Sequence, residues 1–169
     1  MRTATEPLVT TQVQVERIVR CPFSEAEDYA EDFFRRAAEG IELRVPMRDL
    51  FAGMGSGHAR KHVMMLFERH GDADAEGRPH DMLTFGWKAG TRMFPDFHGT
   101  LRLNIASVHT TRIEFFGVYE PPFGSAGSAF DFLIGRRIAK ATMRDLLRRL
   151  AKSMERREEE YRRREDPTT

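Results

Sequence analysis

Apolar and polar residues alternate along this chain in short runs, and in two places the spacing changes to that of a helix. From Val9 to Val19, Val13, Val15 and Val19 share one parity, while Gln12, Gln14 and Glu16 share the other. Period-two alternation predicts a strand with one face toward a core. Arg17 falls on the apolar parity and Ile18 on the polar one, so a bulge or twist is expected there. Cys21-Pro22 ends the strand, because proline has no N–H for the ladder. Ser24 is a good N-cap, and Glu25, Glu27 and Asp28 suit the positive end of a helix. Tyr29, Phe33, Phe34 and Ala37 then recur at helical spacing until Gly40.

A second strand follows, with Ile41, Leu43, Val45 and Met47 alternating against Glu42, Arg44 and Arg48. Gly53, Gly55 and Gly57 make a break. The run from His58 to Arg69 reads as one strand with apolar residues on both parities. Gly71 to Gly77 reads as a polar hairpin loop. Met82 to Ala89 is a fourth strand, with Leu83, Phe85 and Trp87 on one face. Phe97 to Ser107 is a fifth, with Leu101, Leu103 and Ile105 on one face. Thr110 to Tyr119 is a sixth. Short loops between successive strands imply antiparallel neighbours.

After a Pro- and Gly-rich turn from Glu120 to Gly127, one long helix is predicted almost to the C-terminus. Phe130, Ile134, Ile138, Thr142, Leu146, Leu150 and Met154 form its apolar ladder, widened by Ala141, Met143, Leu147 and Ala151. Gly135 marks a kink, or a join with a shorter leading helix. Beyond Met154 the chain is almost wholly charged, so its last turns should project into solvent. The organisation expected is therefore a tail (1–8), a single domain (9–154) and a charged extension (155–169).

The length of 169 residues fits one domain, and 40 % apolar with 31 % charged residues is a globular composition. A net charge of +1 gives no global argument for nucleic acid or membrane. The single cysteine, Cys21, excludes an internal disulfide and fits a reducing cytoplasm. Residues 1–12 carry no apolar signal-peptide core, and the longest apolar run, Val63 to Phe67, is too short to span a bilayer.

Strand, helix, antiparallel strands and a long final helix is an order that resembles the helix-grip fold of the START/birch-pollen-allergen/polyketide-cyclase superfamily (SRPBCC). Particular residues sharpen the resemblance. Cys21-Pro22 looks like that superfamily's end of strand one, and Phe94-Pro95-Asp96-Phe97-His98-Gly99-Thr100-Leu101 looks like the run before a late strand in some bacterial members. Tyr119-Glu120-Pro121-Pro122-Phe123-Gly124, Gly127, Asp131 and Gly135-Arg136-Arg137-Ile138-Ala139 resemble the junction into the last helix. The likeness covers about residues 10–155 and implies an α+β fold: a curved antiparallel sheet of six to seven strands around the C-terminal helix. A seventh strand would have to lie in residues 48–60 or 90–96.

The resemblance implies a pocket between sheet and helix. Its expected lining is Arg17, Met47, Met65, Phe85, Trp87, Phe115, Tyr119, Ile134 and Ile138. Arg17, Trp87 and Tyr119 bring polar handles, and a buried arginine would need an anionic or polar partner. Core packing, or for Arg17 an outward turn at the bulge, is the competing reading. His58, His62 and Glu68 share a parity, but strand residues four apart are separated by ~13 Å, too far for one ion. No metal or other cofactor is expected. Cys21 has no base at readable spacing, so a buried, inert thiol is expected. No phosphate-binding loop, dinucleotide fingerprint or nucleophile elbow is present.

Arg136 to Arg164 carries 12 Lys/Arg and 5 Asp/Glu, a local charge of +7. The preferred reading is a solvated face partnered by the acidic first helix, and nucleic acid is not expected, since only Tyr161 interleaves the basic residues. Three functions stay open at this point. The first is a cytoplasmic binder of a small apolar or amphipathic molecule. The second is a polyketide cyclase/dehydratase-like enzyme using the same cavity. The third is an adaptor, or a homodimer, joined through the basic C-terminal helix.

Overall fold

The structure, a computed structural model, describes residues 11–46, 57–73, 79–88, 96–120 and 129–165. Seven strands and two helices are found there, in the order β1 (Thr11–Val19), α1 (Phe23–Ala38), β2 (Ile41–Pro46), β3 (His58–Val63), β4 (Met65–Ala73), β5 (Pro79–Trp87), β6 (Asp96–Ser107), β7 (Thr110–Glu120) and α2 (Ala129–Glu165). The strands β1-β7-β6-β5-β4 form one antiparallel sheet, and β2-β3 form a two-stranded ribbon. The helices α1 and α2 lie against the buried face of the large sheet, with α2 packed mainly on β1 and also on β2. This is the α+β helix-grip architecture.

The single run from His58 to Arg69 is two strands. The break falls at Met64, whose side chain is 71 % exposed, between buried Val63 and Met65. That break supplies the seventh strand, outside one of the two stretches expected and at the far end of the other. The odd parity is buried on both sides of the break, at Val63 and Met65, and the apolar residues of the other parity, Met64 and Leu66, are exposed. His58 and His62 consequently lie on β3 and Glu68 on β4. The expected hairpin loop is shorter, since Gly71, Asp72 and Ala73 still pair with Asp81, His80 and Pro79.

The first helix begins at Phe23, and no side chain caps it; Ser24 lies inside rather than at the cap. Its buried face is Ala26, Tyr29, Ala30, Phe34 and Ala37. Gly40 follows with φ +141°, a backbone region that L side chains rarely adopt. Helix α2 runs uninterrupted through Gly135, so the expected join is absent. Ile138, Thr142, Leu146, Leu150 and Met154 of the apolar ladder are buried, with Ala139, Met143, Leu147 and Ala151 beside them.

Packing does not stop at Met154. Glu158 is 5 % exposed, and its Oε1 accepts from Arg162 Nε at 2.7 Å. Arg157 bonds to Asp32 of α1 and lays its guanidinium 5.1 Å from the Tyr29 ring centroid. The Arg20 backbone N–H donates to Glu155 at 3.2 Å. The first turn of the charged extension is thus clamped onto α1 and the end of β1, and from residue 159 to 165 every residue is exposed. The basic helix does find its partner in the acidic α1.

Candidate functional site

The buried face of the sheet is an aromatic wall. Strand register sets Met65, Trp87, Phe97 and Tyr119 in one cross-strand row. The next inward row is Phe67, Phe85, Gly99, Gly117 and Val13. Trp87 and Phe97 stack with centroids 4.7 Å apart and planes at 19°. Phe85 lies 4.8 Å from Phe115, 5.0 Å from Phe34 and 5.5 Å from Phe97. Aromatic pairs at such separations add roughly 0.5–1.5 kcal/mol beyond their buried area.

Gly99 and Gly117 face each other across β6 and β7, and the Phe97 ring fills the space they leave. A Cβ on Gly117 would sit 1.9 Å from Phe97 Cζ, and one on Gly99 would sit 2.5 Å from Phe97 Cε1. The glycine pair is therefore the seat of the Phe97 ring.

One polar atom in this wall lacks a partner. The Tyr119 hydroxyl is buried and makes no hydrogen bond, and the residue is 1 % exposed. Burial pushes its pKa up to about 12, so it remains a protonated donor at neutral pH. The buried hydroxyl of Thr142 on α2 is satisfied, donating to Ile138 O at 2.9 Å.

Of the residues expected to line a pocket, Met65, Phe85, Trp87, Phe115, Tyr119 and Ile138 are all buried, none more than 9 % exposed. They are packed into one core cluster with Phe34 and Phe97. Arg17 is exposed. The β1–β7 register is unbroken there and pairs Arg17 with Ile113, so the expected bulge does not form. Arg17 keeps the inward parity, but β1 ends the large sheet and a long flexible stem can carry the charge to water. Met47 lies outside the described residues, as does the side chain of Ile134 within α2. The Pro-Pro turn after Glu120 lies outside them too.

A second concavity lies on the opposite face of the same sheet. It is a groove of about 1110 Å³ that crosses all five strands. Two outward cross-strand rows form its walls. One is Gln12, Val118, His98, Gly86 and Leu66; the other is Gln14, Phe116, Thr100, Thr84 and Glu68. The floor between them is the strand segment at Gly99 and Gly117. Arg136 and Lys140 of α2 and Lys88 after β5 complete it. Sequence reasoning missed this groove, because its residues sit on parities read simply as solvent-facing.

The cysteine is remote from both concavities. Cys21 is fully buried, and its backbone carbonyl accepts from Thr111 Oγ1 at 2.9 Å. Burial first, then the Glu158 carboxylate, push its thiol up to about 12. It is an inert thiol, as its sequence context suggested. Among the described residues no cluster of three or more His, Cys, Asp or Glu could hold a metal ion, and no helix is long and apolar enough to cross a membrane.

No protein-family model matches the chain, and no curated protein matches it. Solved structures do. A Streptomyces aromatase/cyclase, Zhui, aligns at 11 % identity and TM-score 0.45, over 88 % of this chain and 95 % of that one. Norcoclaurine synthase from Thalictrum flavum, solved with dopamine and hydroxybenzaldehyde, aligns at 12 % identity and TM-score 0.46, over 85 % and 86 %. A START superfamily protein from Mycobacterium smegmatis aligns at 14 % identity and TM-score 0.34, over 89 % and 98 %. The α+β helix-grip reading rests on this chain's own strand order and long final helix.

Proposed function

We propose that this chain binds a small apolar or amphipathic molecule between its sheet and α2, at the Tyr119 end of the aromatic wall. The observation that carries this reading is the buried, unpartnered Tyr119 hydroxyl. An unsatisfied buried donor costs about 1–3 kcal/mol. A ligand carrying a carbonyl or hydroxyl oxygen on an aromatic body would remove that cost and pack against Trp87, Phe97 and Phe85. The mixture of a large apolar surface with one orienting polar group is the usual composition of a small-molecule site.

A cyclase-like reaction in the same interior would need at least two polar groups converging on one point. Among the described residues of the wall, Tyr119 offers a donor, while Thr142 is already engaged with Ile138. Binding is therefore the better-supported function, and cyclisation the second. Docking through the basic helix is third, because Arg157 and Glu158 are already committed to contacts within the chain.

The test pairs two probes of similar shape, acetonaphthone with a carbonyl acceptor and ethylnaphthalene without one. Quenching of the single tryptophan, Trp87, reports binding. Acetonaphthone should bind the more tightly, and Tyr119→Phe should weaken it roughly five- to tenfold, the worth of one hydrogen bond, while leaving ethylnaphthalene unchanged. Equal loss for both probes, or binding of neither, would refute the reading.

A further inference from the structure

The groove on the outer face of the sheet plays no part in the function proposed above, and its chemistry differs from that of the aromatic wall. We infer that it is a second binding site, for an elongated amphipathic anion whose carboxylate or phosphate sits at Arg136 and Lys140.

Shape is the first argument. The groove spans five strands, hence four interstrand gaps or about 19 Å. At about 1110 Å³ it reaches the upper range of small-molecule sites. It is deep because small residues line its middle. Gly86 cannot be larger, since a Cβ there would lie 2.8 Å from the Phe97 carbonyl and 3.0 Å from His98 Nδ1. Gly99 and Gly117 belong to the inward row, where the Phe97 ring sits, and send no side chain into the groove.

Apolar lining is the second argument. An ordinary solvated sheet face carries polar side chains. Here Leu66 is 76 % and Val118 37 % exposed, and Phe116 is half-buried beside them. The Arg102 guanidinium, 5.4 Å from the Phe116 ring centroid, holds that ring in place. Gln12, Gln14, Thr84 and Thr100 add hydrogen-bonding groups between the apolar ones.

Charge is the third. Three cations, Arg136, Lys140 and Lys88, face one carboxylate, Glu68. Arg136 and Lys140 are one helical turn apart, both are exposed, and they project from the helix that packs on β1. Two cations at one end and apolar side chains along the floor fit a ligand with an acidic head and an apolar body. A neutral apolar molecule would leave the cations unused, and a polyanion would leave Leu66 and Val118 in water.

The experiment uses the full chain and anilinonaphthalene sulfonate, a flat amphipathic anion whose emission rises on binding. Arg136→Glu with Lys140→Glu should weaken binding at least tenfold, and Thr100→Trp, which fills the groove, should do likewise. Tyr119→Phe should leave it unchanged, which separates this site from the interior one. Laurate and dodecyl phosphate should displace the dye, their ranking telling carboxylate from phosphate, and dodecanol should do so far less well. Circular dichroism confirms that each variant folds. The inference is overturned if the charge reversal leaves affinity within twofold, if Thr100→Trp has no effect, or if dodecanol competes as well as laurate.

Discussion

Adding one methyl group at Gly117 should unsettle the whole aromatic wall. The Gly117→Ala Cβ would fall 1.9 Å from Phe97 Cζ, 2.4 Å from Cε2 and 2.8 Å from the backbone carbonyl of His98. Each of these is closer than real Cβ contacts come. The ring could swing away, but it is 1 % exposed and stacked on Trp87, and the His98 carbonyl belongs to the β6 ladder. Overpacking a core costs about 1–3 kcal/mol. Because one obstacle is backbone, the upper half of that range applies, and the conformational advantage of alanine over glycine returns about 0.5–1 kcal/mol. The net expectation is a loss of about 2 kcal/mol, read as a fall of about 1 M in the urea midpoint for a slope near 2 kcal/mol/M. Trp87 fluorescence follows the transition, since that indole stacks on the ring being displaced. In a Phe97→Leu background the same substitution should cost less than about 1 kcal/mol, the difference being the coupling between the two sites. Gly117→Ala with a midpoint within error of the unmodified chain, or with the same cost in both backgrounds, would show that the ring does not occupy the glycine pair.

Three further outcomes are expected. Tyr119→Phe should leave the ligand-free chain as stable as before or up to about 1 kcal/mol more stable in urea, since it deletes an unsatisfied donor; a marked loss would mean the hydroxyl has a partner. Asp32 is held below the usual carboxylate range, first by its hydrogen bond from Arg157. Its contribution is therefore present above the unfolded-state pKa and is lost as pH falls through the lower folded value. Arg157→Ala should destabilise the chain at neutral pH and flatten the decline of stability below about pH 4, and an unchanged acid limb would refute the pairing. Cys21, raised from 9.0 to about 12, favours the protonated thiol in the folded state, so stability falls as pH climbs from the unfolded value toward 12. Iodoacetamide at pH 9 should accordingly label the native chain far more slowly than the chain in urea, and Glu158→Gln, which removes a neighbouring negative charge, should speed native labelling; rapid native labelling would contradict the burial.

Hydrophobic period made most of the fold legible, while the expected cap did not form, since Ser24 lies inside α1. The alternation of Val13, Val15 and Val19, and of Leu101 and Leu103, located β1 and β6 and their inward faces. The Phe33-Phe34 spacing located α1, and the ladder through Ile138, Leu146 and Met154 located α2 and its buried face. Met64 was not legible as a break, because an exposed methionine between two apolar strands has the same signature as a buried one. The pairing of the basic helix with acidic α1 was legible and is realised by Arg157 on Asp32. That packing continues past Met154 to Glu158 was not, because charged residues there read as projecting into solvent. The inward parity correctly gathered Met65, Phe85, Trp87, Phe115 and Tyr119, yet it could not tell a lined cavity from a filled one. Nor could it place Phe97, whose ring enters the gap left by two glycines, Gly99 and Gly117, far apart in sequence and opposite each other in the sheet.

The outer groove escaped the sequence for a different reason. Alternation reports which side of a strand faces a core; it is silent on whether the other side is flat or hollow. Hollowness comes from the twist of the sheet and from the absence of side chains where strands cross. At Gly86, the glycine on the outward parity, that absence is imposed by the Phe97 carbonyl and the His98 ring. Phe97, whose ring packs the interior, thereby also shapes the exterior. A substitution that unseats Phe97 should disturb both faces together, so Gly117→Ala, beyond its cost in stability, should also weaken anilinonaphthalene sulfonate in the outer groove. If the dye binds Gly117→Ala and the unmodified chain alike while stability falls as calculated, the two faces are independent and the link drawn between them is wrong.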